Sequence, residues 1–378
     1  MNSIIEYLND PFYEDHEDHS HDIVLTVPNA YCNLKCAYCY FDNCKASKPP
    51  LLMKEKVVEK FKLFSNYNGR IMVWAGEPLF NKEIFTEICD LINLYLPNYK
   101  TYIYTNGTLL DDWWAAFFKD HSVGVNLSHD GPGQKYRNVE YLNSDTQRQA
   151  IKKIYANGNL SSVTTVIHKY NCSFFDIVNY FDNIEKELDI KFDKRIQNLV
   201  GANLENNLPL DFDYMDTGLI NYIQDAMSFL FKELITGDKN RYTRKWFSWS
   251  TIKGYFPIFQ NLLGIDPKIP PRCNKSSKER LHIDSLGNPT CIYQAYEGAV
   301  LPEVCRMHER VDFLDKCSKC EISKSCPIKG CQKLSIDDNF CKKVIARYRT
   351  IEYALAKTLE QFGISPESLN YKGQPLSE

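Results

Sequence analysis

The sequence predicts an α/β protein: a partial (β/α)6 TIM-like barrel followed by a small cysteine-rich C-terminal domain. Three observations carry that expectation. Short β-branched and aromatic runs alternate with amphipathic stretches through the first two hundred residues, which is the pattern of repeated βα units. About six such units can be read, too few for a closed eight-fold barrel. Eight of the 14 cysteines fall between residues 273 and 341, beyond the last unit.

Taken in order, the expected strands are 23–27, 70–74, 101–104, 123–127, 163–167 and 195–200, each a short β-rich run. Between them, 54–64, 82–94, 111–118, 146–156 and 174–188 space their apolar residues as one helix face does, and 219–234 reads as a longer helix. Charge density rises over 237–244, which sets a boundary near 240, and the segment DPKIPPR at 266–272 opens the cysteine-rich part. The resulting organisation is a polar leader (1–22), a barrel (23–240), a junction (241–272), a cysteine-rich domain ending in a helix (273–362, the helix over 342–362) and a flexible tail (363–378).

A formal net charge of -3 gives no basic field, so nucleic acid is not expected as a partner. No apolar run is long enough to cross a membrane, and the acidic start, 1–22, is unlike a signal peptide. A cytoplasmic location follows as an expectation. There thiols stay reduced, so cysteines in groups point to metal or catalysis rather than to disulfides.

The first group is Tyr31–Tyr40, YCNLKCAYCY, which places Cys32, Cys36 and Cys39 in a C-x3-C-x2-C pattern directly after the first expected strand. Three thiolates serve three irons of a cubane and leave the fourth open for an exogenous chelating ligand. A zinc knuckle would need a fourth ligand, for which Cys44 is the only neighbour at a suitable spacing. The motif resembles that of the radical SAM superfamily, in which the methionine end of S-adenosylmethionine (SAM) occupies the open iron; Tyr38 stands where that family carries an aromatic residue. Strand two ends in Ala75-Gly76-Glu77-Pro78, similar to the family's GGEP segment, whose backbone meets the SAM amino group. Glu77 suits a neighbouring ammonium or an orienting hydrogen bond. Thr105-Asn106-Gly107 and Ser128-His129-Asp130-Gly131 are similar to the family's TNG and S-x-DG segments. The resemblance implies a ribose contact for Ser128. Asn106 and Asp130 read equally well as turn formers. Arg137 reads as a solvated side chain rather than a partner for a carboxylate, and one of Thr164 and Thr165 faces the barrel interior by strand alternation.

The second group, Cys273, Cys291, Cys305, Cys317, Cys320, Cys326, Cys331 and Cys341, lies in a segment with little continuous apolar content, which needs an inorganic core to fold around. It resembles the SPASM domain, an auxiliary Fe–S domain with two [4Fe–4S] clusters. The resemblance implies Cys317, Cys320, Cys326 and Cys341 for the distal cluster and Cys273, Cys291 and Cys331 for the proximal one. For the proximal cluster's fourth site, Cys305 and an open iron are alternatives. Gly287 stands four residues before Cys291 and Cys331 five after Cys326, each one residue off the family spacing. One or two structural zinc sites are the competing reading.

The resemblance implies SAM and three [4Fe–4S] clusters, one SAM-binding and two auxiliary, an external one-electron reductant, and a peptide or protein substrate. It implies a maturase that forms a 5′-deoxyadenosyl radical and takes hydrogen from a residue of a ribosomally made peptide, giving a cross-link or another oxidative change. A sulfatase-maturase-type oxidation is the alternative, but its characteristic Asp after the cysteine at position 291 is here Ile292. A radical SAM enzyme acting on a small molecule and a non-enzymatic Fe–S or zinc protein are the remaining classes. With 22 residues before the first expected strand, a leader peptide is expected to bind the barrel, the auxiliary domain or a separate recognition protein. Two other features have ordinary explanations: DHEDHSHD (15–22) as an exposed polar segment, and YTRKWFSW (242–249) as packing at the domain junction.

Overall fold

The computed structural model describes residues 21–26, 32–39, 51–74, 76–198, 215–236, 258–264, 281–287, 320 and 338–364. The chain order is β1 (Ile23–Thr26), α1 (Lys54–Lys62), β2 (Gly69–Trp74), α2 (Lys82–Tyr95), β3 (Tyr99–Thr105), α3 (Asp112–Asp120), β4 (Val123–Ser128), α4 (Asp145–Ala156), β5 (Leu160–Ile167), α5 (Phe174–Leu188), β6 (Asp193–Asn198), α6 (Thr217–Thr236), β7 (Leu281–Asp284) and α7 (Asp338–Gln361). Short 3-10 turns at Pro78–Phe80, Gly131–Arg137 and Tyr141–Asn143 follow β2 and β4.

All strand pairings are parallel, in the order β6-β5-β4-β3-β2-β1-β7. The six expected strands are present. The seventh, β7, comes from the segment expected to belong wholly to the cysteine-rich domain, and it pairs with β1 from Ile23↔Leu281 to Thr26↔Asp284. The leader also departs from expectation at its end. Asp22 is fully buried, its carboxylate accepting from the backbone N (2.9 Å) and Nη2 (3.0 Å) of Arg70, while His21 stacks on Tyr67.

Strand alternation sorts the sheet into two faces. Ile23, Leu25, Ile71, Val73, Ile103, Val125, Leu127 and Val163 join the helices in one apolar core. The opposite face carries Met72, Trp74, Tyr102, Tyr104, Asn126, Ser128, Ser162 and Thr164. This second face is aromatic on β2 and β3 and polar on β4 and β5. Side-chain caps place the helices: Asn81 accepts from Ile84 N, Asp111 from Trp114 N and Ser173 from Asp176 N. Helix α7 packs along α6, and Met215 N donates to Thr350 Oγ1 at 3.0 Å, so the C-terminal helix closes onto the α/β body.

Candidate functional site

The cysteine loop leaves the carboxyl end of β1, where open α/β sheets place their ligands. Cys32, Cys36 and Cys39 are all half-buried. Backbone bonds shape the loop: Cys39 N donates to Cys36 O (3.1 Å) and Ala37 N to Tyr136 O (2.9 Å), while Asn138 Nδ2 donates to Lys35 O (2.6 Å). Burial pushes the Cys36 thiol up to about 12, with Arg137 acting in the opposite direction, so without a metal this sulfur stays protonated. Among the described residues no three His, Cys, Asp or Glu side chains converge as on a single metal ion. A cubane needs a different arrangement, because each thiolate takes its own iron. Three sulfurs spread along one loop suit a cluster better than a tetrahedral zinc knuckle.

The end of β2 and the end of β3 are joined by Glu77. Its carboxyl is 1% exposed and accepts from Leu79 N (3.1 Å), Thr105 Oγ1 (2.7 Å) and Asn106 N (2.6 Å). Of the two roles open to Glu77, orienting hydrogen bonds are what its surroundings supply. Asn106 in turn donates from Nδ2 to Asn33 Oδ1 (2.9 Å) and lies 3.8 Å from Cys32 Sγ, while its Oδ1 accepts from Thr108 N and Oγ1. Asn33 Nδ2 donates back to Thr108 Oγ1 (2.7 Å). Asn106 is therefore both a turn former and a contact of the cysteine loop. Gly76 is half-buried in the bend after β2, and Ala75 lies outside the described residues.

Two predictions arise here. Burial, resisted by Asn106 N, Thr105 Oγ1 and Leu79 N, raises the Glu77 carboxyl from 4.5 to about 7. The folded chain then holds this proton more tightly than the unfolded chain does. The resulting stability is present below about pH 4.5 and lost as pH rises through 7, a decline of about 3 kcal/mol. Glu77→Gln has no such titration, so denaturant midpoints of parent and variant at pH 5.5 and pH 8 should diverge, the parent losing ground at pH 8; a constant gap would refute it. The second concerns Gly107, which has φ +78°, and a Cβ there would stand 2.6 Å from the ring of buried Tyr141. Gly107→Ala is expected to cost about 1–3 kcal/mol through backbone strain alone, read as a lowered denaturation midpoint.

Beyond β4 the structure corrects the sequence reading of Arg137. This side chain is buried, not solvated. Its Nε and Nη2 donate to Asp130 Oδ2 (2.9 Å) and Oδ1 (3.0 Å), and Val166 N also donates to Oδ1 (2.9 Å). Tyr38, from the cysteine loop, donates its hydroxyl to Asp130 Oδ2, and Arg137 lies 5.5 Å from the Tyr38 ring centroid. Burial alone would favour neutral Arg137, but the carboxylate of Asp130 holds it firmly as a cation. Tyr38, Cys36, Tyr136 and Val166 form a small apolar cluster of their own. Spacing alone could not show that Arg137 turns back onto Asp130; the 3-10 turn between them does that.

Ser128 ends β4 on the polar face, in register with Thr164 of β5. Thr165, by contrast, turns its hydroxyl to His129 O at 2.8 Å. Thr164 Oγ1, Thr26 Oγ1 and His168 Nε2 are buried without a hydrogen-bond partner among the described residues. Buried polar atoms left this way at the carboxyl end of a sheet fit a polar ligand that completes them. In the C-terminal group, Cys320 is half-buried against the main core and Cys341 lies on α7. Cys273, Cys291, Cys305, Cys317, Cys326 and Cys331 lie outside the described residues, as does the 242–249 segment.

Residues 26–174 match the family model described as the Radical SAM superfamily. The chain is 26% identical over 240 residues to a cysteine-type anaerobic sulfatase-maturating enzyme of Clostridium perfringens, covering 57% of this chain and 62% of that protein. It is 26% identical over 234 residues to the radical SAM cyclopropyl synthase TigE of Paramaledivibacter caminithermalis, covering 53% and 47%. The matched part is about half the length of these curated relatives. Among solved structures, Streptococcus suis SuiB bound to its precursor peptide SuiA has the same fold, with TM-score 0.57 and 17 residues in every hundred uncovered on this side: 83% of this chain and 72% of that one are aligned at 15% identity.

Proposed function

We propose that this chain, whose residues 26–174 match the Radical SAM superfamily model, is a radical SAM enzyme that modifies a ribosomally made peptide by hydrogen abstraction. The observation that carries the proposal is the C-x3-C-x2-C loop, fastened by Asn106 and by the Asp130–Arg137 pair at the carboxyl end of the parallel sheet. When bound, a reduced [4Fe–4S] cluster with SAM on its open iron supplies a 5′-deoxyadenosyl radical, able to take hydrogen from an unactivated carbon.

The chain's own residues then have separate tasks. Cys32, Cys36 and Cys39 would hold the cluster, and the backbone at Ala75 and Gly76 would meet the SAM amino group. Glu77 fixes the backbone of Asn106, which fixes Asn33 and the Cys32 end of the loop. Ser128, with the unsatisfied hydroxyl of Thr164 beside it in register, meets the ribose. Two auxiliary clusters belong to the same proposal: Cys317, Cys320, Cys326 and Cys341 hold one, and Cys273, Cys291 and Cys331 the other, with Cys305 or an open iron completing it. Clusters held there would supply an acceptor for the electron left on the substrate.

Cysteine spacing and the relatives' activities support this reading together. The precursor peptide in the SuiB structure and the cyclopropyl synthase favour peptide maturation. The sulfatase-maturase relatives favour oxidation of a protein side chain, a second reading weakened by Ile292. Anaerobic reconstitution followed by reduction tests the proposal. It requires 5′-deoxyadenosine from SAM and roughly twelve irons per chain, four for each of three cubanes. Zinc alone, or no turnover of SAM, would overturn it.

A further inference from the structure

The buried pair behind the cysteine loop does more than fill space. Asp130 is 0% exposed and accepts four hydrogen bonds, two of them from Arg137 and one each from Val166 N and the Tyr38 hydroxyl. Its own backbone is fixed as well, with Asp130 N donating to Gln134 Oε1 (2.9 Å) and Asp130 O accepting from Asn171 Nδ2 (2.9 Å). Gly133 lets Asn171 approach, since a Cβ on it would lie 2.3 Å from Asn171 Cγ. The carboxylate is thus held from the cysteine loop, from the turn after β4 and from β5, and its backbone from the turn after β5. Tyr38 sits between Cys36 and Cys39 in the chain, so the hydroxyl bond fastens the middle of the metal-binding loop to that anchor.

The pair also has an electrical consequence. Arg137 and Asp130 are opposite charges packed against the Tyr38–Cys36 cluster, and together they are nearly neutral. Either charge alone would act strongly on a neighbour in so poorly solvated a place. Reduction adds negative charge to a cluster ligated by Cys36, so an isolated cation there favours the reduced form and an isolated anion disfavours it.

We propose that Asp130 and Arg137 are positioning residues that hold the Cys36–Cys39 turn through Tyr38 and, by their balance of charge, set the reduction potential of the first cluster. This rests on the reading of Cys32, Cys36 and Cys39 as ligands of that cluster. The other charged and titratable groups facing the pair do not supply this balance: His168, packed on Tyr38 and Tyr136, is held below its ordinary value by burial and stays neutral, and Lys35 is exposed.

The test is a redox titration of the reconstituted holoprotein, monitored by the electron paramagnetic resonance signal that changes when SAM is added. That change separates the first cluster from any auxiliary ones. Asp130→Asn is expected to raise the midpoint potential and Arg137→Gln to lower it, with the double variant returning toward the parent. Tyr38→Phe keeps both charges; it should leave the potential near the parent value while lowering iron retained after gel filtration. Shifts of the same sign in both single variants, or none, would overturn the electrostatic part. Full iron retention by Tyr38→Phe would overturn the tether. Should Asp130→Asn or Arg137→Gln not fold, Arg137→Lys keeps the charge but loses the two-pronged bond, and it must retain the parent potential for the proposal to stand. A parent without any SAM-responsive signal would instead defeat the underlying cluster assignment.

Discussion

Replacing Cys36 by alanine is expected to abolish SAM-dependent formation of 5′-deoxyadenosine while leaving the α/β fold intact. The two effects separate because Cys36 belongs to the small cluster with Tyr38, Tyr136 and Val166, apart from the main core between sheet and helices. Losing one sulfur from that cluster costs about 1 kcal/mol, comparable with deleting a single buried methyl group. Losing it as a ligand leaves two thiolates for a cluster that needs three. Cys172→Ala is the control. Its thiol donates to Lys169 O (3.4 Å) before α5, and burial, with the Asp216 carboxylate adding to it, raises it to about 11. Cys172→Ala should keep full turnover and iron, whereas Cys36→Ala should lose both with a thermal transition close to the parent's. Turnover surviving in Cys36→Ala would remove the loop from the chemistry.

The difference between what could and could not be read from the sequence has a physical basis. The six early strands were legible because each is a short β-rich run between helical stretches, and α5 was expected over the residues where it forms, Phe174–Leu188. The cysteine spacing was equally plain, since loop ligands need only local order. Strand β7 was not. Its four residues show no period of their own, and the partner that makes them a strand, β1, lies at the other end of the chain. Asp22 had the same difficulty: acidic neighbours gave it the look of a solvated leader, yet Arg70 supplies both a backbone and a side-chain donor for it. Glu77 and Asn106 were marked by their motifs, but not the chain of bonds that links them to Asn33 and Cys32. An arginine seven residues after an aspartate carries no pairing signal until the intervening turn is known, so the sequence alone suggests a solvated Arg137.

Asp130→Ala is expected to cost about 3–5 kcal/mol of stability, the usual penalty for leaving a buried charge without its partner. Arg137 cannot escape by losing its proton, and its side chain is 10% exposed, so water can relieve little of the charge. Val166 N and the Tyr38 hydroxyl lose an acceptor in the same step. Arg137→Met removes the cation instead and leaves Asp130 with two remaining donors, Val166 N and the Tyr38 hydroxyl, which is a smaller loss because the carboxylate keeps hydrogen bonds on both oxygens. Combining the two changes should cost less than the sum of the single losses, since neither charge then remains to be stranded. Denaturant unfolding of the four proteins measures this directly. A coupling energy of at least about 1.5 kcal/mol is expected, within the range for residues sharing one network. Additive losses would mean that water reaches Arg137 after all, and that the pair is an ordinary surface bridge worth no more than about 1 kcal/mol.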